Sequence, residues 1–302
     1  MKWQGRRQST NVSDQRNSSN TGKIAAGGLG SLVVIGLLLF GLFTGFDTSG
    51  LANLAGQIAG GVGQTTTAGA LTSGDLTQEQ QDQLDYIETI LADSEDVWTQ
   101  VFADNGMTYR PCKLVLFSGS IQTPSGLATS ASGPFYSPAD ETIYLDLSFF
   151  NDLQIQYGAN VQSNIAGVSG DFVVAYVICH EVGHHVQNLL GVLSDVSQAQ
   201  ARLSTTQGNK WSVACELQAD YYAGVFAHYE DQLGYLEPGD INAAVTAAEA
   251  IGDDSIQEQS YGYAKPDTFT HGTSQQRADW FTRGYQLGTL DGGDTFAVFG
   301  LN

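Results

Sequence analysis

The chain has 302 residues, with 32 acidic against 12 basic side chains and a formal net charge of −20. That balance argues against binding nucleic acid or anionic lipid through the globular part, and suits a solvated acidic surface. The three cysteines, Cys112, Cys179 and Cys215, show no CxxC spacing, which argues against a cysteine-ligated zinc.

Positive charge gathers at the start, where Lys2, Arg6, Arg7, Arg16 and Lys23 stand against Asp14 alone. Residues 24–46 then carry no charge and are dominated by Leu, Val, Ile, Phe and Gly, a length that crosses a bilayer. By the positive-inside rule, 1–23 is a cytoplasmic basic tail, 24–46 a single transmembrane helix, and all that follows is extracytoplasmic. A cleaved signal peptide is the rival. The long polar start, and the lack of a small-x-small site directly after the apolar run, favour an uncleaved anchor. Residues 47–76, rich in Gly, Ala and Thr, read as a flexible linker. The domain proper is expected over 77–302, enough chain for one substantial core.

Within it, Thr77-Gln78-Glu79-Gln80 fits a capping box that opens a helix to about Phe102. Lys113–Phe117 and Thr142–Leu147 read as strands, the second after the turn 138–141. Helices are expected at roughly 148–157, 171–190, 211–232, 238–251 and 273–287. The segment 171–179 is nearly all apolar, so its helix should be buried. Asp171 (or Ser169) can cap its start and Gly191 can end it.

That buried helix carries His180-Glu181-Val182-Gly183-His184. Residues four apart share a helix face, so His180 and His184 can close on one ion. Glu181 lies about 100° round, within reach of a water held there. Gly183 costs roughly 1 kcal/mol against alanine, which implies close passage of another backbone. In the next helix, after the breaker pair Gly208-Asn209, Glu216 and Asp220 also share a face. Glu216 can be the third ligand of a catalytic zinc, and Asp220 can accept the spare N–H of a histidine ligand such as His180. The competing reading is an exposed acidic face. Ala219, Ala223 and Gly224 are small enough to let the two helices meet closely. His185 and His228 lie off the ligand faces and read as structural.

The stretch Ala175–Gln187 resembles the signature of the bacterial neutral zinc metallopeptidases. Trp3-Gln4-Gly5-Arg6-Arg7, Lys113–Gly119, Gly133–Tyr136, Tyr144–Leu147 and Glu216-Leu217-Gln218-Ala219-Asp220 match in the same way. The HExxH…ExxxD pattern is also similar to gluzincins, in which the glutamate binds zinc and the aspartate supports a ligand. Thr270-His271-Gly272-Thr273-Ser274-Gln275-Gln276-Arg277 resembles the family's THG-[ST]-xx-R stretch. There His271 can stabilise an oxyanion or cap the next helix, and Arg277 can do the former or pair with a carboxylate. The resemblance implies two cysteines in the middle region; the matching positions here are Ser125 and Ser137. Cys179 and Cys215, each just before a candidate ligand, can form a disulfide or pack as buried thiols.

The expected molecule is therefore an α+β, zincin-like, membrane-anchored extracytoplasmic metallopeptidase with a small sheet on a central HExxH helix, a mostly helical C-terminal part and one N-terminal transmembrane helix. Zn2+ is held by His180, His184 and Glu216. Glu181 is the general base, His271 assists catalysis, and Asp220 and Arg277 support the ligands. A peptide or protein is the substrate, with Phe135-Tyr136 a candidate edge strand to pair with it. The rivals are a cell-envelope scaffold with a structural metal and a zinc amidase acting on cell wall.

Overall fold

The computed structural model describes residues 1–16, 76–149 and 172–301. Thr77 caps α1 (Gln78–Asp104) with the expected reciprocal box, its side chain accepting from the Gln80 amide. Four strands form a mixed sheet: β1 (Val12–Asp14), β2 (Lys113–Phe117), β5 (Phe135–Ser137) and β6 (Thr142–Asp146), in the order β1-β2-β6-β5. The first two pairings are parallel and the last antiparallel, which leaves β5 at an edge. Side chains alternate along each strand. Leu114, Leu116, Ile143 and Leu145 join the main core under the helices, while Phe117, Tyr144 and Phe135 face the other way. A hairpin of β3 (Ser120–Thr123) and β4 (Gly126–Thr129) covers that second face through Ala128 and Ile121.

The helical part begins with α2 (Phe172–Leu189), followed by α3 (Val192–Gln200) and α4 (Thr205–Gln232). Next come α5 (Asp240–Ala250), α6 (Asp253–Tyr261), α7 (Ser274–Leu287) and the short α8 (Thr295–Val298). Residues 172–187 of α2 are all buried, as an all-round apolar helix requires. Gly191, at φ +83°, lets the chain turn out of it. α4 is the hub, packing on α2, α3 and α7. It starts six residues before the expected 211 and runs through Gly208-Asn209. Tertiary contacts outweigh the breaker pair. A Cβ at Gly208 would lie 3.4 Å from Gln200 Cγ, and Asn209 donates its side-chain amide to the Asp267 carbonyl at 3.0 Å.

The expected membrane topology needs correction. Among the described residues no helix is long and apolar enough to cross a membrane, and the anchor expected at 24–46 lies outside those residues, as does the linker at 47–75. Of the segment expected as a cytoplasmic tail, residues 1–16 are part of the folded body. Trp3 stacks edge-on against Tyr86 of α1, centroids 5.6 Å apart. Arg6 bridges Asp93 of α1 at 2.8 Å and Glu230 of α4 at 3.0 Å. β1 pairs with β2, and Arg16 bonds the Gln80 carbonyl and the Gln83 side chain at 2.9 and 2.7 Å. A single crossing by 24–46 would place the two halves of these contacts on opposite sides of a bilayer. The single-pass, N-in arrangement, the extracytoplasmic placement derived from it and the membrane as a partner through 24–46 therefore do not hold. The α+β architecture, with a small mixed sheet and a mostly helical C-terminal part, does.

The helix expected at 148–157 lies largely outside the described residues, and so does the Asp171 cap. The three cysteines are free and buried. The Cys215 thiol contacts Gln187 Oε1 at 3.2 Å, while Cys179 has Glu230, Asp93 and Cys112 among the charges and thiols near it. The bridge between Cys179 and Cys215 is not formed, and both pack as buried thiols.

Candidate metal centre

The convergence of α2 and α4 rests on the absence of side chain at one point. A Cβ on Gly183 would lie 2.9 Å from the Ala219 carbonyl oxygen and 3.0 Å from its Cα. Glycine here lets α4 pass directly over the turn that holds His180 and His184. Gly224, by contrast, serves α7, where a Cβ would strike the Phe281 carbonyl oxygen at 2.0 Å.

At this crossing, ligand atoms of His180, His184 and Glu216 all lie within 4.8 Å of one another. His180 Nε2 is 3.2 Å from Glu216 Oε2, and His184 Nε2 is 3.5 Å from Glu216 Oε1. The opposite nitrogens settle the tautomers. His180 Nδ1 meets Asp220 Oδ1 at 2.9 Å, and His184 Nδ1 meets Gln187 Oε1 at 2.9 Å. The Gln187 amide is oriented by its donations to the Cys215 carbonyl at 2.7 Å and Gln218 Oε1 at 3.0 Å. In their neutral forms both rings therefore carry hydrogen on Nδ1 and turn the Nε2 lone pair to the Glu216 carboxylate. Three electron-pair donors facing one another draw a cation between them, either a proton on an imidazole or a metal, and two imidazoles with a carboxylate suit a divalent ion.

The charges agree. Burial works against a charged His180, yet Asp220 and Glu216 outweigh it and push the ring up to about 10. Burial also works against an ionised Glu216, but His184, His180 and His271 hold its carboxyl well below the usual range. Asp220, fully buried, is held down to about 2 despite that burial, chiefly by Arg277 and then His180. It accepts from Tyr176 at 2.6 Å, from His180, and from Arg277 Nε and Nη2 at 2.8 and 3.0 Å. Arg277 lies against the carboxylate rather than in the open.

Glu181 is 7 % exposed. Burial raises its carboxyl above the ordinary value, against the pull of His184 and His180 and a hydrogen bond from the backbone N–H of Tyr136. The backbone of Tyr136, on β5, thus lies near the Glu181 carboxyl. Tyr136 also anchors β5 to α2 from its other end, its hydroxyl meeting His185 Nδ1 at 2.9 Å and Asn188 Nδ2 at 3.1 Å. His185 completes this contact at the Arg110 carbonyl. His228 bridges the Tyr285 carbonyl and Gln232. Both are structural.

His271 does not cap α7; Thr273 does, in a capping box with Gln276. Asp253 holds His271 instead, through Nδ1 at 3.1 Å and through the backbone N–H groups of Thr270, His271 and Gly272. Burial opposes a charged His271, but Asp253 and then Glu216 raise its pKa. Its charge is felt at Glu216, so the 270–277 stretch closes on the same centre.

Tyr176, Gln187 and Asp253 were not singled out from the sequence. Tyr176 lies four residues before His180 and Gln187 three after His184, so helical spacing alone could have found both. Nothing local marks Asp253, which meets His271 across a loop.

A buried helix carrying two histidines and a glutamate, crossed by a second helix that brings a carboxylate as third donor, defines a metal-site protein of the zinc-peptidase class. The chain belongs to the family described as "Putative neutral zinc metallopeptidase", which matches residues 1–296 and so includes the N-terminal strap. It is similar to the uncharacterised protein YpfJ of Escherichia coli K12, at 42 % identity over 294 residues, covering 95 % of this chain and 96 % of that one. It is also similar to the uncharacterised protein Rv2575 of Mycobacterium tuberculosis H37Rv, at 46 % identity over 197 residues and 62 % of each chain. No solved structure matches it.

Proposed function

We propose that this protein is a zinc peptidase in which His180, His184 and Glu216 hold the metal and Glu181 is the general base. The observation that carries the reading is the three-donor convergence at the crossing of α2 and α4, with a buried carboxylate beside it. Three protein ligands leave a fourth position open, which favours catalysis over a closed structural site. Bound zinc supplies a Lewis acid and brings the pKa of a water toward neutrality.

Asp220 fixes the His180 tautomer, and Gln187 fixes that of His184. Arg277 and Tyr176 hold Asp220 in turn, so the ligands are set before any metal arrives. The raised carboxyl of Glu181 makes it a better base, able to take a proton from the attacking water and deliver it to the leaving nitrogen. His271, favoured as a cation by Asp253, offers a donor to the oxygen that becomes negative at the scissile carbonyl. β5 is an edge strand beside Glu181, and its backbone suits an extended peptide.

The test pairs two variants of the full chain, reading bound zinc and cleavage of a mixed peptide library together. Glu181→Gln should keep the metal and lose turnover. Glu216→Ala should lose the metal. A zinc-loaded wild type that cleaves no peptide, or a fully active Glu181→Gln, would sink the proposal.

A further inference from the structure

Two residues on from Glu216, across the axis of α4, Gln218 lies beneath a second cavity. α3, α4 and the segment 290–301 line an open cleft of about 740 Å³, a size typical of ligand sites, and its charged residues are exposed. Trp211 and Phe296 form one wall, their ring centroids 5.5 Å apart. The charged lining is Asp195, Asp291 and Asp294 against Arg202 alone. Asp294 is occupied, since it caps α8 by accepting the Ala297 N–H. The carboxylates of Asp195 and Asp291 have no hydrogen bond or ion pair among the described residues. Gln218, 6 % exposed, donates to the Gly293 carbonyl at 2.8 Å and accepts from Gln187 at 3.0 Å. Gln187 in turn holds His184. The cleft therefore stands behind the metal centre, separated from it by two side chains, and is not the catalytic cleft itself.

We infer that this cleft binds a basic side chain of a peptide, with the aliphatic stem along Trp211 and Phe296 and the cationic head at Asp195 and Asp291. Lysine and arginine lay apolar stems on such walls while their heads stay hydrated. An indole face attracts the cation further, and a guanidinium matches a carboxylate with two hydrogen bonds. An anionic ligand would meet three carboxylates and one arginine. That a peptide carries the basic group rests on the peptidase reading; the complementarity of charge and aromatic wall does not.

The experiment reads binding alone, in full-length Glu181→Gln protein, so its outcome is separable from turnover. Tetra-arginine amide is titrated while tryptophan fluorescence is followed. A saturable change is expected that disappears in Trp211→Phe. Asp195→Asn/Asp291→Asn should bind about tenfold more weakly. Asp104→Asn/Asp279→Asn, which neutralises two exposed acids elsewhere, should bind as the parent does. No saturable change up to about 1 mM, or equal weakening in both double variants, would overturn the inference, the latter by showing only diffuse attraction to an acidic surface.

Discussion

Gly183→Ala tests the packing that builds the metal centre, because it adds a single carbon at the helix crossing. That carbon would stand 2.9 Å from the Ala219 carbonyl oxygen, 3.0 Å from its Cα and 3.3 Å from its Cβ. Ordinary contact begins near 3.4 Å, so α2 and α4 must part by roughly 0.5 Å. Alanine gains about 1 kcal/mol of helix propensity over glycine. Overpacking costs about 1–3 kcal/mol, and the upper part of that range applies because the obstacle is backbone, which cannot swing aside. The expected net loss is about 1–2 kcal/mol in the metal-free protein. Zinc distances tolerate about 0.2 Å, so moving Glu216 away from the histidines should weaken zinc at least about tenfold. Thermal unfolding of the metal-free protein and chelator competition for zinc measure the two effects. A higher Tm with unchanged zinc affinity would refute the reasoning, since propensity alone would then decide the substitution.

Asp220→Asn should lower zinc affinity by about 10–100-fold, and stranding Arg277 should destabilise the fold by about 3–5 kcal/mol; chelator competition and denaturant unfolding read these, and an unchanged pair would remove Asp220 from the site. Burial and then Glu230 push the Asp93 carboxyl up to about 8 from 3.8, against the pull of Arg6. The folded state thus keeps a proton that the unfolded chain releases near pH 4, and this stability is lost as pH rises to about 8. Asp93→Asn should flatten that fall in chelator-treated protein, and an identical Tm–pH slope in both proteins would contradict it. Stripping the metal should lower Tm reversibly, because zinc at a thousandfold its Kd stabilises by about 4 kcal/mol; a Tm indifferent to chelator and to added zinc would deny a folded-state site.

Much of the centre was legible because helical spacing is a strong signal. His180 with His184, and Glu216 with Asp220, each fall one turn apart, and a glycine between the two histidines implied a crossing backbone. Capping at Thr77 and the strands at Lys113–Phe117 and Thr142–Asp146 were equally local. What depended on distant partners was not legible. Gly208 and Asn209 look like a break until α3 and Asp267 are brought beside them. The role of Asp253 exists only through a loop that returns to it. Arg6 and Arg7 read as a topogenic charge cluster. Both face carboxylates of the folded body, Asp93 with Glu230 and Glu95 with Asp96.

The N-terminal strap also sets an order of assembly. Its α-amino group meets Glu237 and Asp240, 3.0 Å from each, and β1 pairs with a strand that begins a hundred residues later. Residues 1–14 thus pair with segments made much later, and a growing chain must expose them until α5 has emerged. Arg16 and Gln80, which flank the intervening stretch, are in contact. The strap itself therefore holds together the two points of the body that border residues 17–75.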